Sequence, residues 1–288
     1  MGSVRSVEVV STGTVQIRPE HVEANGTNLY WWLFTSRRWT APRPINVYVI
    51  EHDRGLVLFD AGQDRRSVTE ADYFPGGFTG LIYSRLARFE IGSDETLSAR
   101  LASIGRDISD VRTVVLSHLH QDHIGGLREL TDAEIVVSAS EWAQLDDSRA
   151  ESKGFLKEHI DLPGISWNLV DPTAVTDHTI APFTASYDLY GDGSLVLLPT
   201  PGHTAGSLSM LVRRPGMAPL LLVGDVTYDI RLLEQGRVPG VGDAEQLRRT
   251  SRNITALRRR HPDLVILAAH DPAASDLLRA AMATRGAA

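Results

Sequence analysis

Short apolar runs recur along the chain, at residues 47–50 (VYVI), 56–59 (LVLF), 134–137 (EIVV), 195–198 (LVLL), 220–223 (LLLV) and 264–267 (LVIL). Each is bounded by charged or turn-forming residues, and runs of this length rich in Val, Ile and Leu read as strands buried on both faces. Between the first two stands His52-Asp53-Arg54-Gly55, where a hairpin turn belongs. A strand-like alternation also opens the chain. Leu97, Leu101 and Ile104 in DETLSARLASIG have helical spacing, ended by Gly105. EIVVSASEWAQL predicts a short strand followed by a helix, and several strands follow between about 179 and 225, with a tight turn at Gly191-Asp192-Gly193. Asp243 is placed to cap a helix from Ala244 to about Arg260, stopped by His261-Pro262. The strand LVILAA and an Ala-rich helix after Pro272 come last. Strands interleaved with helices establish an α/β class and no finer architecture.

Two segments stand apart from this rhythm. The six arginines between Arg248 and Arg260 share their stretch with Leu247, Ile254 and Leu257, which supply a buried side, so the charges read as a solvated helix face. The aromatic stretch Tyr30-Trp31-Trp32-Leu33-Phe34, with Trp39, reads either as a strand buried in the core or a dimer, or as the apolar wall of a substrate cavity. Residues 72–78, DYFPGGF, are apolar for a loop region and suit a lid or a dimer contact.

The densest chemistry lies in VVLSHLHQDHIGG, straight after the strand-like VRTVVLS. His118, His120, Asp122 and His123 fall within six residues there. Imidazole nitrogen and carboxylate oxygen are the ligands that borderline divalent ions prefer. His118 and His120, two apart in an extended segment, point the same way and can grip one ion. Asp122 and His123 lie past the bend and can face a second. More donors end later apolar runs: His203 in LLPTPGHTAGS, Asp225 in LLLVGDVTY and His270 in LVILAAHDP. Seven candidate ligands at strand ends can meet at one sheet edge. The other histidines, His21, His52, His159, His178 and His261, lack such a context and read as surface or structural residues.

The pattern HxHxDH, then Gly202-His203, Asp225 and His270, resembles the metallo-β-lactamase superfamily of metallo-hydrolases. LVLFDAG, carrying Asp60, resembles its first motif, so the likeness runs from about residue 45 to residue 271. That resemblance implies an αββα sandwich of two mixed β-sheets flanked by helices, expected here as one domain over residues 1–288. It also implies two divalent metal ions, one on His118, His120 and His203, the other on Asp122, His123 and His270, bridged by Asp225. Asp60 would orient the ligand loop. Zinc is the default ion, and manganese, iron or cobalt accept the same donors. Hydrolysis by a metal-bridging hydroxide follows, with Asp122 relaying the proton to the leaving group.

Asp225-Val226-Thr227-Tyr228 narrows the family. It resembles the N-acyl-homoserine lactonase (quorum-quenching) branch, in which the tyrosine of Asp-x-x-Tyr bonds the lactone oxygens, a role that would fall to Tyr228. Asp60-Ala61-Gly62 and His270-Asp271 agree with that branch, whereas Gln121 stands where its members often carry an aromatic. The expected substrate is a small-molecule lactone or related ester. Thioesterase, phosphodiesterase, phosphotriesterase and arylesterase activities share the metal chemistry and stay as alternatives, as does a non-catalytic metal-binding sensor. A zinc β-lactamase is disfavoured, because the chain has no cysteine and carries the bridging Asp225.

Bulk properties agree with an enzyme. The 288 residues, 42% hydrophobic, suffice for a large core. A net charge of −7 argues against a nucleic-acid partner, which calls for a basic face. The start MGSVRSVEVV lacks the apolar core of a signal peptide, and no apolar run approaches the ~18 residues of a membrane span. A cytoplasmic protein without membrane contact is therefore expected. A homodimer would account for the exposed-looking aromatics.

Overall fold

The computed structural model describes residues 3–283. Seven strands form the first sheet: β1 (Val4–Ile17), β2 (Arg43–His52), β3 (Gly55–Phe59), β4 (Ala87–Glu90), β5 (Val111–Val115), β6 (Glu134–Ser138) and β7 (Ser166–Val170). Its order is β4-β1-β2-β3-β5-β6-β7, antiparallel up to β3 and parallel from there to β7. The second sheet holds β8 (Thr173–Ala174), β9 (Ala185–Asp188), β10 (Leu195–Pro199), β11 (Leu208–Val212), β12 (Leu220–Leu222) and β13 (Val265–Leu267), ordered β13-β12-β11-β10-β9-β8. Only the β12–β13 pairing is parallel there.

Both faces of each sheet are covered, which explains the near-continuous apolar runs. Tyr48, Ile50, Val57 and Phe59 of the first sheet pack against Leu197, Met210 and Leu222 of the second, forming the middle layer. Their alternate neighbours Val47, Val49, Leu56 and Leu58 face outward onto Leu97 and Leu101 of the helix Leu97–Ser103. On the far side Val196, Leu198, Leu211 and Leu221 meet Ile254 and Leu257 of the helix Ala244–Arg260. The layers run helix, sheet, sheet, helix, the αββα sandwich of the metallo-β-lactamase fold. Among the described residues, no helix is long and apolar enough to cross a membrane.

The hairpin at His52–Gly55 and the helix Ala244–Arg260 form as expected, the latter capped by Asp243, which accepts from the Glu245 and Gln246 amides. The aromatic stretch corrects one expectation. Its strand form is not what folds: Leu29–Thr35 is a helix, because Asn28 Oδ1 accepts from the Trp31 amide (2.9 Å) and caps it. Trp32 and Leu33 are buried, while Trp31 is 63% exposed and Phe34 stacks on Phe78. Within 72–78, Tyr73 is buried against the ring of His159 and Phe78 is exposed.

The amphipathic reading of Ala244–Arg260 is open to test. Ile254→Ala empties a fully buried position and is expected to cost about 2–5 kcal/mol in chemical denaturation. The exposed Arg252→Ala should change stability by less than about 0.5 kcal/mol. Equal losses for both would contradict the assigned face.

Candidate metal centre

The two sheets share an edge, and hydrogen bonds tie their strand ends together there. The Leu208 amide of β11 donates to the Ser117 carbonyl beyond β5 (2.8 Å), and the Asn46 amide of β2 donates to the Ala269 carbonyl beyond β13 (3.0 Å). His118, His120, Asp122 and His123 arrive from the first sheet, and His203, Asp225 and His270 from the second. All seven meet. The ligand atoms of His118, His120 and His203 lie within 4.8 Å of one another, as do those of Asp122, His123 and His270, and those of His118, His123 and Asp225.

Each of four imidazoles is fixed through the nitrogen that faces away from the cluster. His123 Nδ1 donates to Asp60 Oδ2 (2.8 Å), His270 Nδ1 to the Pro44 carbonyl (2.9 Å) and His120 Nε2 to the Lys153 carbonyl (3.0 Å). Ser117 Oγ donates to Asp60 Oδ2 (3.0 Å) and so accepts from His118 Nδ1 (3.0 Å). In a neutral imidazole a protein acceptor on one ring nitrogen leaves the other as a lone pair. The lone pairs therefore converge. His118 Nε2 stands 3.0 Å and His203 Nε2 2.9 Å from His120 Nδ1. Between His118 and His120 no proton is left to share, and lone pairs facing each other this closely repel unless a cation lies between them. Tetrahedral zinc–imidazole bonds would set such nitrogens about 3.3 Å apart.

The second cluster has similar dimensions. Asp225 Oδ1 lies 3.4 Å from His123 Nε2 and 3.5 Å from His270 Nε2, while Asp122 Oδ2 lies 3.4 Å from His270 Nε2. Asp225 Oδ2 faces the other way, 3.6 Å from His203 Nε2. His123 Nε2, His270 Nε2 and Asp225 Oδ1 are buried without a hydrogen-bond partner. Buried polar atoms in that state are costly, and this donor set fits divalent cations.

Electrostatics prepare the same chemistry. Burial pushes the His118 and His203 imidazoles well below their ordinary value, leaving them neutral and able to ligate. His123 differs: against its own burial, Asp60 and Asp225 hold that ring well above its ordinary value, so it carries a second proton, on Nε2, that metal binding would release. Against its own burial, Asp225 is held well below the usual carboxylate range by His270 and His123. Asp60 itself has a left-handed backbone (φ 66°), which Asp tolerates better than most residues, and from there Oδ1 also accepts from the Ser117 amide (2.7 Å). One carboxylate thus orients both His123 and the start of the ligand loop.

His120, Asp122, His203, Asp225 and His270 line a cavity of about 550 Å³ together with the apolar Val15, Ile17, Ile82, Leu86 and Phe89. Tyr30 of the aromatic stretch lines it as well, beside Leu29, so one residue of that stretch serves as cavity wall. Tyr228 lines the cavity, buried, and its hydroxyl donates to Asp225 Oδ2 (2.8 Å). Burial, then Asp225, raises its phenol well above the ordinary value, so it stays protonated.

Residues 40–270 match the model of the metallo-β-lactamase superfamily. The chain belongs to this superfamily. The N-acyl homoserine lactonase AttM of Rhizobium radiobacter is 30% identical over 232 residues, 80% of this chain and 82% of the relative. A probable metallo-hydrolase of Mycobacterium tuberculosis is 33% identical over 256 residues, covering 81% and 76%. Among solved structures, an AiiA variant of B. thuringiensis with N-decanoyl-L-homoserine bound at its active site superposes with a TM-score of 0.74 at 22% identity, covering 94% of both chains.

Two residues of this superfamily member escaped sequence reasoning. Glu141, fully buried, accepts from the Leu119 amide (3.0 Å) through Oε1, and from Thr204 Oγ1 (2.7 Å) and the Gly206 amide (3.0 Å) through Oε2. It therefore spans the His120 and His203 loops. Gly206 is required beside it, since a Cβ there would lie 2.1 Å from the Glu141 nitrogen. The only sequence signal is Ser138-x-x-Glu141, a capping-box pattern whose serine does accept from the Glu141 amide (3.0 Å) while the glutamate side chain goes elsewhere. His21 is the second: it lines the cavity with Nε2 2.9 Å from the Tyr228 hydroxyl, and burial pushes its imidazole down to about 4.

Glu141→Ala leaves two buried amides without an acceptor. The expected loss is about 2–5 kcal/mol in denaturation of the metal-loaded protein, with weaker metal retention during dialysis. Unchanged stability and retention would show that the two loops hold themselves in place.

Proposed function

We propose that this chain opens the ring of a lactone, an N-acyl-homoserine lactone first among them, as a cytoplasmic enzyme acting on a diffusible small molecule. We assign His118, His120 and His203 to one divalent ion and Asp122, His123 and His270 to another, with Asp225 between them and zinc the default metal. When bound, such a pair supplies a water-derived nucleophile near neutral pH and polarises the carbonyl under attack. The observation that carries the lactone reading is Tyr228. A protonated phenol, aimed at the inter-cluster carboxylate, stands where a cavity changes from polar donors to an apolar wall. The kinship with named lactonases supports it.

The chain's own groups have distinct tasks. Tyr228 Oη donates to the oxygen that gains charge as the carbonyl carbon becomes tetrahedral. Asp122, partly exposed and 3.4 Å from His270 Nε2, is placed to carry the nucleophile's proton to the ring oxygen as the ring C–O bond breaks. A carboxylate and a free hydroxyl result. Val15, Ile17, Ile82, Leu86 and Phe89 give an acyl chain an apolar surface to lie on. Gln121 also lines this cavity, its amide oxygen buried without a partner.

Purified, metal-loaded protein is expected to open N-acyl-homoserine lactones in a pH-stat assay, to lose that activity to chelator and to regain it with zinc. Faster turnover of a p-nitrophenyl phosphodiester or of a thioester would move the substrate class. His203→Ala should lose about one equivalent of metal, read by elemental analysis, and full content would contradict its assignment. Tyr228→Phe should keep its metal while kcat on lactones falls about 10²-fold, the scale of a lost oxyanion donor. Undiminished turnover would remove Tyr228 from the mechanism.

A further inference from the structure

His21 sits in a single helical turn, Pro19–Val22, at the end of β1, distant in sequence from Tyr228 and from every candidate metal ligand. Its main chain is pinned on both sides, with its amide donating to the Arg18 carbonyl (2.9 Å) and its carbonyl accepting from the Gly240 amide (3.0 Å). The ring meets the Tyr228 ring edge-on, at 84° and 5.1 Å between centroids, and Trp32 lies 6.1 Å away. Of its two ring nitrogens Nε2 reaches the Tyr228 hydroxyl at 2.9 Å, and Nδ1 is buried without a partner.

Proton accounting fixes the direction of that contact. The Tyr228 hydroxyl has a single proton, and it points to Asp225 Oδ2 at 2.8 Å. The Tyr228 oxygen is then the acceptor toward His21, and His21 must carry its proton on Nε2. We propose that His21 is a positioning residue for the proposed ring-opening reaction: its Nε2–H holds the Tyr228 oxygen in place without competing for the hydroxyl proton. When charge develops on a substrate oxygen beside Tyr228, that proton turns from Asp225 toward it while the oxygen stays anchored. An N–H donated to the phenol oxygen also polarises the O–H and makes it a better donor. The inference rests on the reading of Tyr228 given above.

Its test uses the metal-loaded full chain with four variants: His21→Phe, His21→Gln, Tyr228→Phe, and His21→Phe combined with Tyr228→Phe. Metal content and melting temperature are measured for each. His21→Phe is expected to lower kcat on a lactone about tenfold or more, as loss of an orienting partner does, with KM and metal content little changed. His21→Gln, which keeps an N–H donor, should recover most of the rate. In the Tyr228→Phe background, His21→Phe should cost less than about twofold, because the group it positions is gone. Nitrogen-15 NMR of labelled histidine should show His21 protonated on Nε2, and this readout needs no substrate.

Outcomes separate the two ideas. Tyr228→Phe with wild-type turnover sinks the reading of the phenol itself. An impaired Tyr228→Phe beside a fully active His21→Phe, or a His21→Phe defect equally large in both backgrounds, overturns the role of His21 alone. Should His21→Phe fail to fold, the Gln variant and the tautomer decide, and a proton found on Nδ1 rejects the proposal.

Discussion

Asp225 shows its two carboxyl oxygens to different neighbours, Oδ1 to His123 and His270, Oδ2 to His203 and the Tyr228 hydroxyl. A carboxylate this deeply buried is stable only if its surroundings supply positive charge and hydrogen-bond donors. Those surroundings come from four chain segments, each delivered by the end of a strand. The residue itself follows β12 in a turn with φ −101° and ψ 22°, and the adjacent Gly224 carbonyl accepts from the Ala269 amide (3.1 Å), one residue before His270. Moving either strand end by one residue would turn an imidazole away from the carboxylate. The charge at residue 225 therefore sets the register that the rest of the edge must keep.

The parts legible in the sequence are those governed by short-range rules. HxHxDH announces its chemistry through spacing alone, and Asp243 announces the helix it caps because an N-cap is a local bond. The apolar runs were readable as doubly buried strands because both of their faces carry the same kind of residue. Which sheet each strand joins was not: expectation placed all seven donors at one sheet edge, whereas three come from the first sheet's partner. The aromatic stretch misled for a related reason. Tyr, Trp and Phe favour strands, but the bond from the Trp31 amide to Asn28 outweighs that weak preference.

Glu141 and His21 mark the limit of such reading. Both act through contacts far away in sequence, Glu141 on the loops at 119 and 204–206, His21 on residue 228. Neither has a spacing rule, and each resembles something ordinary: a capping glutamate, a histidine in a polar turn. Their importance arises only when tertiary packing brings an unsatisfied partner to them. Asp60 lies between these cases, readable as part of LVLFDAG, yet its hold on His123 and Ser117 becomes visible only once the left-handed turn directs its carboxyl inward.

Division of the candidate ligands between two sheets has an energetic consequence. His118, His120, Asp122 and His123 are held on one sheet, His203, Asp225 and His270 on the other, and the sandwich must close before the lone pairs converge. Cation binding would then stabilise the docked sheets as well as the loops that carry the donors. The middle layer built from Tyr48, Phe59, Met210 and Leu222 joins the two sheets whose loops bring the His118 and His203 nitrogens to about 3 Å from that of His120. Tyr48 shows the coupling in one residue. Its ring belongs to that layer while its hydroxyl donates to the Ala268 carbonyl (2.9 Å), two residues before His270, so packing between the sheets and placement of that imidazole are linked through one side chain.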